Sequence, residues 1–273
     1  MKTIVVATDF SEGSSNAINH SIKMAKSINT KITLVHAYSP PILDPNIPIG
    51  LIEETYQHTL KALEERLIAE TERIRLEGLV VNYKLSFSDL STVLNDVCAT
   101  ENVLFIVVGK TGNSNIIEKI IGSTANHLID SIEAPLMIIP ENYKNETLKK
   151  LAYATQLEFD EEKYIEKVVK LAKVSAHELS LVHIKDTSEL NINADELFLE
   201  PIIKNFGKEN IKIIQKEGNS FKKEINKLIS DEHITLLALT THKRGILDGI
   251  LNPSKTKRII NDTQIPILVY SFA

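Results

Sequence analysis

Short apolar runs alternate along the chain with segments in which apolar residues recur every three or four positions. Residues 103–108 and 234–239 are two such runs, and their nearly continuous apolar character predicts strands buried on both faces. Between the runs, apolar residues follow helical spacing, as in Leu90, Val93, Leu94, Val97 and Cys98. Strands that alternate with helices predict an α/β fold, doubly wound, with a parallel sheet covered by helices on both faces.

The pattern occurs twice. Three segments of the first copy return in the second: 4–10 as 151–157, 32–36 as 179–183, and 134–138 as 265–269. The first two pairs lie 147 positions apart and the third 131, so the second copy lacks 16 residues in its middle. Two tandem domains are therefore predicted, at 1–141 and 149–273. The polar junction between them is short, which favours packing of one copy against the other.

The residues missing from the second copy correspond to a proline-rich tract of the first. Pro40, Pro41, Pro45 and Pro48 lie in this tract, and a helical pattern follows over 53–76. Since proline lacks the backbone N–H that helices need, the tract predicts a loop that leads into a helix.

Composition and charge narrow the classes of partner. A net charge of -5 and a pI near 5.9 give no overall basic field, which argues against nucleic acid or an anionic membrane. The apolar start is too short for a signal peptide, and no stretch reaches the roughly 18 apolar residues of a membrane span. A cytoplasmic protein is expected. The single cysteine, Cys98, excludes an intrachain disulfide and is expected to be a buried, unreactive thiol.

The candidate site follows the buried strand that is predicted to end at Val108. Ligands of open parallel sheets bind at the carboxyl ends of strands, where loops and helix N-termini present backbone N–H groups. The segment after Val108 holds glycines, which let a backbone approach a phosphate, and hydroxyl residues that open a helical pattern. These residues are Gly109, Gly112, Gly122, Ser123 and Thr124.

Other chemistry is not supported by the residues. A P-loop would need a glycine five residues before Gly109, where Leu104 lies inside a strand. His36 and His183 occupy equivalent strand ends, which favours a role in the fold over metal binding. Because no catalytic set can be assigned, the protein is not expected to be an enzyme.

At this loop the chain resembles the universal stress protein family. Nucleotide-binding members share the spacing of Gly109, Gly112, Gly122 and Ser123, and residues 8–11, Thr-Asp-Phe-Ser, look like the exit of the family's first strand. The resemblance covers nearly the whole chain as two Rossmann-like, adenine-nucleotide-binding domains. It implies that their last strands pair, so that the two copies form an intramolecular pseudo-dimer.

The resemblance also implies roles for individual residues. Asp9 would lie beside the adenosine, and the backbone at Ala37 would meet the edge of the adenine. The loop 109–113 and the turn 122–124 would hold the ribose and phosphates of ATP, with or without Mg²⁺. The full set of predicted binding residues is Asp9, Ala37, Val108, Gly109, Gly112, Asn113, Gly122, Ser123 and Thr124.

The second copy departs from this pattern. Thr240, Lys243 and Pro253 take the places of the three glycines, and Gln156 replaces Asp9, although Ser254 keeps its place. Side chains at these positions penalise positive φ, and proline has no N–H to donate. One ATP per chain, in the first copy, is therefore expected. Basic residues are clustered near this loop, and they are consistent either with a solvated surface or with a site for an anion. They are His242, Lys243, Arg244, Lys255, Lys257 and Arg258.

Two interpretations of function remain. The first is a stress-response ATP-binding regulatory protein with little or no hydrolysis. The second is an interaction scaffold of the same fold that binds no nucleotide. A protein partner and a homodimer are left open by the sequence.

Overall fold

The computed structural model describes most of the chain, in nine segments. These are residues 1–38, 49–110, 123–144, 148–155, 161–175, 178–186, 211–218, 220–242 and 263–272. The first half contains β1 (Thr3–Ala7), α1 (Glu12–Ile28), β2 (Lys31–Ala37), α2 (Ile49–Leu76), β3 (Val81–Ser86), α3 (Leu90–Thr100), β4 (Val103–Lys110), α4 (Ser123–Ser131) and β5 (Leu136–Pro140). The second half contains β6 (Lys150–Thr155), α5 (Glu162–Ser175), β7 (Glu178–Asp186), β8 (Ile211–Gly218), α6 (Phe221–Asp231), β9 (Leu236–His242) and β10 (Ile267–Phe272).

The ten strands of the described segments form one sheet, in the order β3-β2-β1-β4-β5-β10-β9-β6-β7-β8. Within each half every pair of neighbouring strands is parallel, and the two halves have the same strand order. At the centre β5 and β10 pair antiparallel, with Met137 opposite Leu268. The predicted doubly wound α/β fold and the pseudo-dimer through the last strands are therefore confirmed. This pairing covers two apolar edges that would otherwise be exposed.

Helices cover both faces of the sheet, which explains why the strands are apolar throughout. One core lies under α1, α2 and α5, where residues such as Ile18, Leu67 and Ile165 are buried. The other lies under α3, α4 and α6, where Leu94, Leu128 and Leu228 are buried. Each core includes residues of both halves, so the halves are joined by packing as well as by the central strand pair.

Some boundaries match the sequence pattern and others differ. Helix α2 ends at Leu76 as predicted but begins at Ile49, before the predicted start at residue 53, and the four prolines of the tract before it lie outside the described residues. Strand β4 continues past the predicted end at Val108, because Gly109 and Lys110 pair with the last residues of β5. Strand β9 begins later than predicted. The hydroxyl of Thr235, just before it, instead accepts hydrogen bonds from the amides of Lys149, which precedes β6, and Lys150, which begins β6.

The junction between the halves is anchored by one aromatic side chain. Tyr143 is 4% exposed, and its hydroxyl donates to the carbonyl of Thr235 in the second half (3.2 Å). The carbonyl of Tyr143 accepts hydrogen bonds from Asn16 Nδ2 (3.2 Å) and from His20 Nε2 (3.0 Å), both on α1. The predicted polar junction therefore contains a buried residue that links α1 to the start of β9.

None of the helices within the described segments combines the length and the apolar character needed to cross a membrane.

Candidate functional site

The sheet order brings the predicted site residues of the first half to one edge. Strands β2, β1 and β4 are adjacent and parallel, so their carboxyl ends lie side by side. Asp9 follows β1, Ala37 ends β2, and Gly109 lies near the end of β4. Strands β2 and β4 flank β1 on opposite sides, so the order in which successive strands are added to the sheet reverses at β1. Such a switch point is where ligands bind in open α/β sheets.

Asp9 is exposed and is held in place by the start of α1. Its Oδ1 accepts hydrogen bonds from the hydroxyl of Ser11 (2.6 Å) and from the amide of Ser11 (3.0 Å). Ser11 is itself the N-cap of α1, and its hydroxyl accepts a hydrogen bond from the amide of Ser14 (3.2 Å). These hydrogen bonds therefore hold the side chains of Asp9 and of the N-cap residue Ser11 in a fixed orientation relative to each other.

The same hydrogen bonds influence the ionisation of Asp9. Partial burial opposes the charged carboxylate, but the hydrogen bonds from Ser11 and Ser14 favour it, and the pKa of Asp9 lies below its usual value. Asp9 is thus a carboxylate at neutral pH. Both hydrogen bonds that Asp9 accepts from Ser11 go to Oδ1, so Oδ2 is not engaged by Ser11.

Behind Asp9, two buried polar side chains connect β1 to its neighbours. Thr8 Oγ1 donates to Ser14 Oγ (3.1 Å) and accepts from the amide of Phe10 (3.1 Å). His36 Nδ1 donates to the carbonyl of Thr8 (2.7 Å), and His183 makes the matching contact to Thr155 in the second half (3.2 Å). The two histidines therefore join adjacent strand ends, in agreement with the predicted role in the fold.

Phe10, next to Asp9, has a left-handed backbone with φ of 61°. This conformation is uncommon for a bulky residue and is retained where packing fixes the side chain. The Phe10 ring packs on the ring of His36, with 4.8 Å between centroids, and the guanidinium of Arg66 lies 4.1 Å from the Phe10 centroid. Arg66 comes from α2 and was not predicted near the site. Helical periodicity indicates which side of a helix is buried, but not which residue of another element a given side chain contacts.

Gly109 is required by a close approach between β4 and α1. A Cβ atom at this position would lie 2.2 Å from the carbonyl oxygen of Gly13 and 2.7 Å from the amide nitrogen of Ser14. No side chain fits at such distances, so Gly109 lets the first turn of α1 lie directly against the strand. From the sequence, Gly109 was predicted to let the backbone approach a phosphate. The contact with α1 shows that the packing of the fold itself requires glycine at this position.

The other predicted residues are placed as follows. Ala37 is partly exposed and pairs with Ser86 of β3, and the side chain of Val108 is buried, so only its backbone is near the edge. Helix α4 begins at Ser123, as the predicted turn requires, and Thr124 follows in its first turn. Gly112, Asn113 and Gly122 lie outside the described residues.

The second half uses the equivalent position differently. Glu161 stands where the first half has Ser14, and it is 1% exposed. Its carboxylate accepts hydrogen bonds from the hydroxyls of Thr155 (2.6 Å), Thr240 (2.9 Å) and Tyr153 (3.0 Å). Thr240 occupies the position of Gly109. The second half thus fills the space between strand and helix with a buried carboxylate and its three donors, which we name the Glu161 cluster.

Glu161 was not identified from the sequence, because an acid at the start of a helix is ordinarily exposed. Its neighbours in the predicted second site, Gln156, Lys243 and Pro253, lie outside the described residues, as do the basic residues beyond His242.

The thiol of Cys98 is half-buried on α3, and burial together with the charge of Glu133 raises its pKa to about 11. A thiol with such a pKa is almost wholly protonated at neutral pH, in agreement with the expected low reactivity. Within the described segments, no group of three or more His, Cys, Asp or Glu side chains could hold a metal ion.

Comparisons with known proteins agree with this architecture. The model of the universal stress protein family matches residues 1–140. A universal stress protein from Archaeoglobus fulgidus superposes with a TM-score of 0.75 at 17% identity, covering 98% of each chain. A putative universal stress protein from Pseudomonas aeruginosa has a TM-score of 0.66 at 14% identity, covering 99% of this chain and 92% of its own.

A third similar structure is the cytoplasmic domain of a prokaryotic cation chloride cotransporter. It has a TM-score of 0.56 at 10% identity and covers 98% of this chain and 94% of its own. At these identities the solved structures share the fold alone. A comparison with curated proteins gives no significant match.

Proposed function

Because this chain belongs to the universal stress protein family, we propose that it is a stress-response regulatory protein that binds one ATP in its N-terminal half. The observation that carries the proposal is the position of Asp9. It is an exposed, ionised acid with one oxygen held by Ser11, at the switch point of the sheet, beside the ends of β2 and β4.

The second oxygen of Asp9 suits the sugar of a nucleoside. Ribose hydroxyls are hydrogen-bond donors, and a carboxylate is an acceptor with lone pairs on both oxygens. Because Ser11 fixes Oδ1, Oδ2 is presented in one orientation and little side-chain freedom is lost when the ligand binds. Ala37, on the neighbouring strand, would offer backbone groups to the base.

The phosphates would lie on the other side of β1. There Lys110 ends β4, and α4 begins at Ser123, where the positive end of the helix dipole would favour a phosphate. Gly112, Asn113 and Gly122 belong to the proposed phosphate loop between these two points. This arrangement would accept ATP with or without Mg²⁺.

The proposal also states that the protein hydrolyses ATP very slowly or not at all. Asp9 would be engaged with the nucleoside, and His36 is buried with its Nδ1 bound to the carbonyl of Thr8. ATP would then act by stabilising one conformation or assembly. We also propose the domain limits 1–141 and 149–273 and a cytoplasmic location.

Isothermal calorimetry with ATP tests the proposal. One site per chain is expected, and Asp9→Asn should weaken binding by about tenfold, because a donor amide replaces the acceptor that faces the ribose. Asp96→Asn is the matched control, since Asp96 is an exposed acid on α3. Absence of ATP binding to the wild-type chain would favour the scaffold interpretation.

A further inference from the structure

Strand β3 forms the outer edge of the sheet in the first half. Among the strands of the described segments it pairs with β2 alone. On its β2 side, the carbonyl of Ser86 accepts a hydrogen bond from the amide of Tyr38 (2.9 Å). The backbone groups of successive residues point to alternate sides of a strand, so three residues direct their N–H and C=O groups away from the sheet: Val81, Tyr83 and Leu85. Such an edge can pair with a strand of another chain.

One flank of α2 lies along this edge. Its residues recur every three or four positions: Gln57, Lys61, Glu64, Ile68, Glu72 and Arg75. Two hydrogen bonds show the direction of the flank, from the hydroxyl of Tyr83 to Glu64 Oε1 (3.2 Å) and from Arg75 Nη2 to the carbonyl of Val81 (3.5 Å). Arg66, beside the candidate site, lies on the opposite flank. We name this flank and the outward groups of β3 together the α2–β3 edge.

The α2–β3 edge exposes large apolar side chains. Ile68 is 42% exposed at the middle of the flank, whereas its neighbour Leu67 is fully buried. Phe87, just after β3, is 43% exposed and lines a groove between α2 and the end of the strand together with Leu60 and Leu85. Apolar side chains that are exposed together beside unpaired strand groups are typical of an interaction surface.

Ile68 and Tyr83 lie at about the same level along this edge. Helix α2 runs antiparallel to β3, because Arg75 reaches Val81 at the start of the strand, whereas Leu60, earlier in the helix, lies beside Leu85 at its end. Ile68 is about midway between these two contacts in the helix, as Tyr83 is in the strand. A two-fold axis through Tyr83 therefore also passes close to Ile68.

We propose that the α2–β3 edge is the interface of a homodimer, in which β3 pairs antiparallel with β3 of a second copy of this chain. The axis sets Tyr83 opposite Tyr83 of the partner subunit and Val81 opposite the partner's Leu85, so outward N–H groups meet outward C=O groups. On the other face of the strand, Asn82 lies opposite the partner's Lys84. No like charges are therefore opposed along the strand pair.

The two α2 helices have complementary charges in this arrangement. Helix α2 packs on both β2 and β3, and paired strands are about 4.8 Å apart, so the two helices approach the roughly 8–10 Å of packed helices. Ile68 then lies against Ile68 of the partner subunit. One turn away, Lys61 lies near the partner's Glu72. Glu64 lies near the partner's Arg75. Opposite signs in both pairs favour this register and a second copy as the occupant of the edge.

Sedimentation velocity of the full chain tests the interface. The chain has a mass of 30.6 kDa, and a species of twice that mass is expected. Ile68→Glu brings two like charges together at the axis and should raise the Kd of the dimer by at least about tenfold. Val174→Glu is the matched control, because Val174 is an exposed apolar residue of α5 in the second half (57%), and it should leave the Kd unchanged.

Charge reversal tests the register. Lys61→Glu and Glu72→Lys should each weaken the dimer, and the double variant should restore it, because both signs of the pair are then reversed. Tyr83→Pro tests the strand pair, since proline removes an N–H that points away from β2 and should prevent association. Urea unfolding of each variant checks that it remains folded.

Two results would overturn the proposal. The first is a wild-type chain that stays monomeric at about 100 μM, because specific interfaces of ordinary size associate at micromolar concentrations or below. The second is a dimer that persists unchanged in both Ile68→Glu and Tyr83→Pro, since the copies would then meet through another surface. ATP is absent from these measurements, so their outcome is independent of the proposed function.

Discussion

The two halves of the chain share one strand order but treat the contact between strand and first helix in opposite ways. In the first half Gly109 lets the backbone of Gly13 lie against β4. In the second half Thr240 and the buried Glu161 occupy the corresponding space. The acid of the first half, Asp9, faces solvent, whereas the acid of the second half is enclosed by three hydroxyl donors.

The difference shows how one fold can support two kinds of carboxylate. An exposed acid can accept hydrogen bonds from a ligand, whereas an enclosed acid accepts its hydrogen bonds from the protein. The comparison thus agrees with the proposal of a single nucleotide site in the first half.

The largest expected effect comes from the Glu161 cluster. Glu161→Ala would leave three buried hydroxyl groups without their acceptor and open a cavity, so the free energy of unfolding should fall by about 3–4 kcal/mol. Ser14→Ala, the equivalent change in the first half, should cost about 1 kcal/mol, because a smaller network is lost. Urea unfolding of both variants measures the difference. Equal losses would show that the cluster does not distinguish the halves.

A methyl group at Gly109 should have the next largest effect. The added Cβ of Gly109→Ala meets backbone that cannot move independently of α1, so the free energy of unfolding should fall by about 2–3 kcal/mol. Thr240→Ala removes one donor from Glu161 and should cost about 1 kcal/mol. Thermal or urea unfolding decides the order, and a Gly109→Ala protein as stable as wild type would contradict the close contact.

Stabilisation by ligand compares the two loops directly. At a concentration of ATP 100 times its Kd, binding to the folded state should add about 2.7 kcal/mol to the free energy of unfolding. Gly112→Val should abolish this gain, because its side chain would resist positive φ and occupy the path of the phosphate. Lys243→Val, the equivalent change in the second half, should preserve it. Thermal melts with and without ATP report both variants, and loss only in Lys243→Val would move the site to the second half.

The smallest effect is a pH dependence from His20. Burial holds the pKa of His20 below its usual value of about 6.5, against the hydrogen bond to Tyr143, and Lys23 lowers it further. Below pH 6.5 the unfolded chain therefore binds a proton that the folded chain does not, so stability should fall as the pH falls. The equivalent position in the second half is Lys167, which is exposed.

Urea unfolding at pH 7.5 and 5.5 measures this loss of stability. His20→Gln should reduce the difference between the two pH values, because glutamine does not titrate, whereas Lys167→Gln should leave it unchanged. A pH dependence that is identical in His20→Gln and wild type would assign the effect to other groups.

The sequence predicted the fold in most respects, because periodicity reports burial directly. Continuous apolar runs gave the strands, and the offset between copies gave the tandem arrangement. The end of β4 was placed too early, since a glycine followed by a lysine resembles a turn until β5 is seen to pair with both residues. Tyr143 was assigned to a polar junction, because its burial depends on α1 and Thr235, which are distant in sequence.

For the candidate site, the sequence by itself determined which residue types stand after each strand: the acid after β1, the glycines after β4 and their loss in the second copy. These depend on local order along the chain. Only the tertiary structure decided that Gly109 packs against α1, that Glu161 is buried, and that Arg66 and Phe87 lie at the edge of the sheet. Those facts depend on contacts between elements that are distant in sequence. Periodicity does not predict such contacts, because it indicates which face of a helix is buried but not which element packs against that face.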